Sequence, residues 1–292
     1  MASSMSWEEA REKLSEFRED RTRNSEEVVD IWRDVLADFR YKLGDEQWII
    51  YEQVCIAACD CHQHHLAGEC IDKLKTQFPS SCRVHRLEGL LLESKDNYEG
   101  AMSIYHEMLK DDPTNSLVRK RVVSVLKEQN KIPEAIKELN DYLKQFMSDT
   151  DSWMELCDLY LMEQDYSKAA FCIEELILSN PRNHLFHQKY AEVKYTQGGQ
   201  DNMECACKYF AQAIKLNPTN MRALFGLFLA ASTIASSQKT NAKSKKDAIK
   251  YAAWAAQQIS LKYKELPMSG SGSSQIDAVS GMLDTLQITQ GT

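Results

Sequence analysis

The chain has 292 residues, 35 Lys and Arg against 43 Asp and Glu, 43% hydrophobic residues and 27% charged ones, which excludes a disordered or low-complexity protein. A net charge of −8 argues against general nucleic-acid binding, which needs a basic face, so no nucleic-acid partner is expected. With only 11 Gly and 6 Pro, there are too few turn residues for a β-sandwich or a series of glycine-rich nucleotide loops, and the composition favours helix.

No segment is expected to cross a membrane. The longest uncharged run, between Arg222 and Lys239, is 16 residues and contains Ser232, Thr233, Ser236 and Ser237. A spanning helix needs ~20 mostly apolar residues. Met1 to Ala10 is polar with two Glu, so no signal peptide is expected there. Asn217-Pro218-Thr219 fails as a glycosylation site because of its proline. Nine Cys without framework spacing suggest a reducing compartment, and the chain reads as cytosolic.

Taken in chain order, residues 7–20 and 25–42 are predicted to form two amphipathic helices, within an N-terminal capping region spanning 1–47. Val28, Ile31, Trp32, Val35, Leu36 and Phe39 have the spacing of a buried stripe. From residue 48 to 266 an internal repeat governs the pattern. Ala67, Ala101, Ala135, Ala169 and Ala206 follow one another at intervals of 34, 34, 34 and 37 residues. Pro79, Pro113, Pro181 and Pro218 share this period, with Met147 at the missing member. Ser81, Asn115, Asp149, Asn183 and Asn220 stand two residues after these positions, where each can cap a helix. Ile71, Tyr105, Leu139, Ile173 and Phe210 follow the alanines by four residues, one helical turn.

These registers describe a helical hairpin. Proline ends the second helix, the capping residue starts the next, the alanine marks a close helix crossing and the large side chain fills the space beyond it. Pro133 is an apparent exception, yet it fits the first turn of a helix, where its missing N–H costs little. A period of 34 residues is that of the tetratricopeptide repeat. Trp153, Leu156, Tyr160, Tyr166, Ala169 and Pro181 occupy its consensus positions, as do Gly89, Leu92, Tyr98, Ala101 and Pro113. The predicted fold is therefore an all-α solenoid of five such hairpins plus a divergent sixth that begins at Phe225-Gly226. The three extra residues near Gly198-Gly199-Gln200 are predicted to lengthen a turn. A Ser/Lys-rich loop is expected from Ser236 to Lys246. After Leu266, residues 267–275 form a Ser/Gly-rich linker. Residues 276–292 form a short amphipathic segment with Ile276, Val279, Leu283 and Leu286 on one face, able to dock back on the solenoid or to engage a partner.

No phosphate loop, dinucleotide fingerprint, zinc-protease box or kinase signature is present, and there is no C-x-x-C pair. Cys55, Cys59, Cys61, His62, His64, His65, Cys70 and Cys82 are possible zinc ligands by residue type. Their spacing matches no zinc pattern, so Cys55 is read as a small hydrophobe and the histidines as a solvent-facing turn. Cys205 and Cys207 are read as filler beside a packed alanine, and Trp153 and Trp254 as core. Lys239, Lys243, Lys245, Lys246 and Lys250 are read first as a solvated loop, with anionic lipid or RNA as the sharper alternative. A carboxylate clamp for chaperone tails is disfavoured. Glu52, Ile56, Arg86 and Leu90 stand at its positions, and Asp151 and Glu155 stand where it needs Lys and Arg.

Longer strings carry a more specific resemblance: Trp48 to Val54 (WIIYEQV), Ala169 to Leu176 (AAFCIEEL), Gln188 to Gly199 (QKYAEVKYTQGG), Asn220 to Leu227 (NMRALFGL) and Met282 to Gln290 (MLDTLQITQ). In these the chain resembles the family of subunit 2 of the ER membrane protein complex. The resemblance implies a non-catalytic scaffold on the cytoplasmic face of the ER membrane, within an assembly that inserts transmembrane segments, tail anchors included. Its implied partners are the cytosolic loops of membrane-spanning subunits and other cytosolic subunits. No catalytic residue, cofactor or metal is expected. By repeat position alone, the groove-facing contact residues are Arg86, Leu90, Lys120, Ser124, Met154 and Asp158. The alternative reading is a soluble peptide-binding adaptor or co-chaperone, and a third is an enzyme or zinc protein built on the Cys/His cluster.

Overall fold

The computed structural model describes residues 5–237, 241–265 and 281, and among them the regular structure is helical, without a strand. The linker and amphipathic segment expected at 267–275 and 276–292 lie outside the described residues, Gly281 apart. The chain divides into two compact units, one running to Glu138 and one starting at Leu139.

In the first unit, α1 (Trp7–Glu19) starts at a capping box. The Ser6 hydroxyl accepts from the Glu9 N–H, and the Ser6 N–H donates to the Glu9 carboxylate. This satisfies two otherwise orphaned donors. α2 (Ser25–Ile31) passes through a π turn (Trp32–Leu36) into α3 (Ala37–Phe39) and a 3₁₀ turn (Arg40–Lys42). The second capping helix thus covers the predicted span but is broken into four pieces. Val28, Ile31, Trp32 and Leu36 are buried as the stripe requires, while Val35 and Phe39 are half-buried. Hairpins follow: α4 (Glu46–Asp60) with α5 (His64–Gln77), then α6 (Cys82–Ser94) with α7 (Tyr98–Asp111). α8 (Ser116–Glu128) packs on α7, and α9 (Ile132–Leu143), with Pro133 in its first turn, runs across the boundary between the units.

The second unit contains α10 (Thr150–Met162) against α11 (Tyr166–Ser179), α12 (His184–Gln197) against α13 (Gln200–Leu216), and α14 (Met221–Ser236) against α15 (Ala242–Glu265). Two predictions about it are corrected. The extra residues after Gln197 do not lengthen the turn, which is only Gly198-Gly199 with φ of +72° and +86°. They lengthen the helix instead: α13 has 17 residues where α11 has 14. The Ser/Lys-rich loop is also shorter than predicted. α14 continues through Ser236 and α15 starts at Ala242, so Lys243, Lys245 and Lys246 are helical.

The repeat registers account for the packing within each unit. Ala67, Ala101, Ala135, Ala169 and Ala206 are completely buried, and Ile71, Tyr105, Leu139, Ile173 and Phe210 are buried beside them. Asn115, Asp149, Asn183 and Asn220 each accept a backbone N–H at the start of their helix. Ser81 is the exception, an N-cap whose side chain makes no capping bond.

Two further registers were not visible in the sequence. His62, Asp96, Asn130 and Gln164 all have positive φ, 56–58°, and they recur every 34 residues at the end of α4, α6, α8 and α10. Each closes a Schellman turn through the backbone bonds Gln63→Ala58, Asn97→Leu92, Lys131→Leu126 and Asp165→Tyr160. In the other hairpin turn, a side chain six residues downstream caps a carbonyl. Arg119 Nε donates to Pro113, Trp153 Nε1 donates to Met147, and His187 Nε2 meets Pro181, each at 2.8 Å. The Trp153 bond supports the turn where the periodic proline is missing.

Candidate functional site

The first unit holds a cavity of about 500 Å³ where the α1–α2 turn faces α4, α6 and the start of α8. Five arginines line it: Arg18 from the last turn of α1, Arg21 and Arg23 from the α1–α2 turn, Arg86 from α6 and Arg121 from α8. Ile56, Leu90 and the exposed Leu117 add apolar surface to its lining. The turn arginines form a visible run in the sequence, but nothing in the repeat pattern shows that the turn folds back towards α6 and α8.

Ion pairs between successive first helices set the charge of this cavity. Glu52 on α4 accepts from both Arg83 and Arg86, the latter at 3.1 Å. Glu93 on α6 accepts from Arg121 Nε at 3.1 Å and from the Tyr105 hydroxyl at 2.5 Å. Asp60 takes a bidentate Arg23 at 2.6 and 2.8 Å and the Ser25 hydroxyl at 2.6 Å. Burial alone would raise the Asp60 carboxyl; the Arg23 and Ser25 hydrogen bonds outweigh it and hold the pKa below the usual carboxylate range. Burial, with Arg23 and Arg86 crowding behind it, pushes the Arg121 guanidinium down. Arg86 Nε is buried without a partner, and Arg21 makes no side-chain bond among the described residues. Arg18 and Arg21 are left without a carboxylate partner, so the cavity keeps an excess of positive charge.

Of the six residues expected to line a groove, four lie in the first unit and two in the second. Arg86 and Leu90 border the cavity. Lys120 and Ser124 are on α8 but not among the residues lining the cavity, and the Ser124 hydroxyl donates to the Lys120 carbonyl at 3.1 Å. Met154 and Asp158 belong to the second unit, and Lys189 of α12 bonds Asp158 at 2.6 Å and reaches the Met154 sulfur at 3.7 Å. The next rung in that unit is Arg222 on α14, bidentate to Glu192 on α12. Several positions chosen for a partner thus bind the neighbouring repeat. The clamp positions behave likewise: Glu52 and Arg86, 34 residues apart, neutralise one another.

The Cys/His cluster is dispersed. Cys55, Cys59 and Cys70 are buried, Cys82 is exposed, and His64 and His65 open α5 rather than lying in the turn. Burial pushes the Cys70 thiol up to about 12. The Cys55–Cys59 hydrogen bond raises Cys55 and lowers Cys59. Among the described residues, no group of three or more His, Cys, Asp or Glu is placed to hold a metal ion. Cys207 is buried and Cys205 half-buried, as filler would be. Neither Trp153 nor Trp254 is core. Trp153 is half-buried, edge-on to exposed Phe171, and Trp254 is exposed.

Helical hairpins stacked in sequence, each crossing at a buried alanine, define a tetratricopeptide-repeat protein. A solved structure, the C-terminal part of a TPR repeat-containing protein from Cytophaga hutchinsonii, matches with a TM-score of 0.58 at 16% identity over 87% of this chain and 95% of its own, which supports the fold alone. The profile described as the EMC2 TPR-like repeat domain matches residues 72–208. ER membrane protein complex subunit 2-A of Xenopus laevis is 50% identical over 287 residues, covering 98% of this chain and 97% of the relative. The Dictyostelium discoideum ER membrane protein complex subunit 2 is 33% identical over 75% of this chain and 69% of its own. The chain belongs to the family of ER membrane protein complex subunit 2. No helix among the described residues is long and apolar enough to cross a membrane.

Proposed function

We propose that this chain is a non-catalytic scaffold on the cytoplasmic face of the ER membrane, within a complex that inserts transmembrane segments, including those of tail-anchored proteins. Its work is passive: the hairpins present fixed surfaces that hold cytosolic segments of membrane-spanning subunits in register. The arginine-lined cavity of the first unit carries this reading. Its lining combines apolar side chains with arginines, which suits an extended, acidic polypeptide segment. The second unit adds exposed Met147, Met162, Phe171, Leu178 and Leu185, apolar surface of the kind that obligate partners cover.

The test is isolation of the protein from detergent-solubilised ER membranes with Arg18 and Arg21 both changed to Glu. Neither residue bonds a carboxylate in the fold, so folding is expected to survive. The expected result is loss of co-purifying integral membrane proteins, with the variant chain recovered free. Recovery of the unaltered protein only as a free monomer would reject the scaffold reading.

A further inference from the structure

We propose that the outer face of α15 rests on an anionic phospholipid surface. At about 100° per residue, the buried side chains Ala248, Ala252, Ala255, Ala256 and Ile259 form one stripe of this helix, against α14. The opposite side carries Lys243, Lys246, Lys250, Trp254 and Leu261, all within roughly 80° of arc by the same rotation. Trp254 is 44% and Leu261 45% exposed, and Tyr251, on the flank, is 53% exposed.

The charge on this helix has one dominant sign. Lys243, Lys245 and Lys246 have no side-chain partner among the described residues. Asp247 is the acidic residue among them, and it meets Lys250 only at 3.9 Å. The exposed Leu261 extends the face about five turns from the start of the helix. Ion pairs tie the first helices α10, α12 and α14 to one another; on α15, Lys243, Lys246 and Lys250 are exposed.

The residue types select the occupant. Lysine is depleted in protein interfaces, where arginine is preferred, because the ammonium group is strongly hydrated and costly to strip. A membrane interface removes that cost: the long stem lies along the apolar boundary while the ammonium stays with phosphate headgroups. Tryptophan prefers the same depth, with its ring in the acyl boundary and its N–H at the headgroups. A helix with Lys, Trp and Leu on one face and alanines on the other, packed against its own protein, can therefore lie flat on a leaflet. Each lysine near an anionic surface contributes about 1 kcal/mol, so this contact is weak alone and effective in a protein already held at a membrane. The inference depends on α15 alone and stands or falls apart from the scaffold reading.

The experiment uses the full chain with two kinds of vesicle: phosphatidylcholine alone, and phosphatidylcholine with about a third phosphatidylserine. Co-flotation should be at least tenfold stronger on the anionic vesicles and should fall as salt is raised. Brominated lipid should quench part of the tryptophan emission, and that part should vanish in Trp254→Phe. The triple change Lys243→Glu, Lys246→Glu and Lys250→Glu should abolish flotation while circular dichroism stays helical. The salt dependence of the unaltered chain keeps the proposal testable should that variant misfold. Equal binding to both vesicles, or quenching that persists in Trp254→Phe, would overturn it. So would protection of Trp254 from iodide without lipid that is relieved by removing residues 266–292, because the face would then belong to the chain's own tail.

Discussion

Two glycines in the molecule solve the same packing problem in different places. Gly89 on α6 faces the ring of Tyr105 on α7, so the contact lies inside one hairpin; a Cβ there would come within 2.4 Å of the ring. Gly226 on α14 faces Phe210 on α13, so the contact lies between two hairpins, again at 2.4 Å. The regular hairpin closes on its own aromatic residue. The divergent last hairpin gives its glycine to its predecessor and closes instead through Ala230, Ala231, Ala248, Ala252 and Ala255. A glycine notch can therefore serve closure within a repeat, eight residues after the cap in α6, or adhesion between repeats, six residues after the cap in α14. What decides is whether the hairpin has a large ring to enclose. Buried alanines leave helix surfaces nearly smooth, and two such surfaces approach without a glycine notch.

The largest test of this contrast targets a crossing point. Ala169→Trp places an indole where α10 and α11 cross and the native side chain has no exposed surface. Overpacking typically costs about 1–3 kcal/mol for far milder insertions, so this one should exceed that range. Urea denaturation measures it, and an unchanged midpoint would disprove the crossing assignment. Next comes Gly89→Ala. Helix propensity favours alanine by about 1 kcal/mol. The Tyr105 ring, buried and tied to Glu93 at 2.5 Å, cannot retreat. A net loss of about 1–2 kcal/mol is expected, and in a double-mutant cycle Tyr105→Leu should recover most of it. The same cycle with Gly226→Ala and Phe210→Leu should show coupling between hairpins rather than within one. Equal effects on the isolated α14–α15 packing would blur the distinction.

A smaller effect is expected from acid. The Arg23 and Ser25 bonds hold Asp60 below the usual carboxylate pKa. A depressed carboxylate contributes stability that is fully present above about pH 4, its unfolded value, and lost as pH falls through the lower folded value. The urea midpoint should thus drop between pH 5 and strong acid, and Asp60→Asn should flatten that part of the curve; an unaltered slope would remove Asp60 from the account. The smallest change should be a gain. His62, Asp96 and Gln164 hold φ near +57°, where a side chain is strained. Each, changed to glycine, should gain up to about 1 kcal/mol. Asn130 should gain least, because asparagine tolerates that conformation best. A loss at His62 would show that its ring contact with His64 matters more than backbone strain.

The repeat, its crossing alanines, its turn-adjacent large residues and most of its caps were legible because each is a strong local preference recurring at a fixed interval. The positive-φ register escaped notice although it has the same period. A left-handed position announces itself through glycine, and here four different residues occupy it because the Schellman bonds hold the backbone whatever the side chain. Six groove residues were placed by repeat position, and three of them contact a neighbouring repeat: Arg86 bonds Glu52, and Lys189 reaches both Asp158 and Met154. Position in a repeat tells which helix face a residue occupies, but not which long charged side chain from the next helix reaches it.

By itself, then, the amino-acid order determined the helical hairpin, its length and its buried ridge, since these follow from spacing that one helix can carry alone. Only the tertiary structure decided that three arginines at and just before an early turn meet two from later helices, and that the last lysine-rich stretch is an outward helix face rather than a loop. Those outcomes depend on side chains brought together from far apart in the chain. Long-range proximity leaves no period to read.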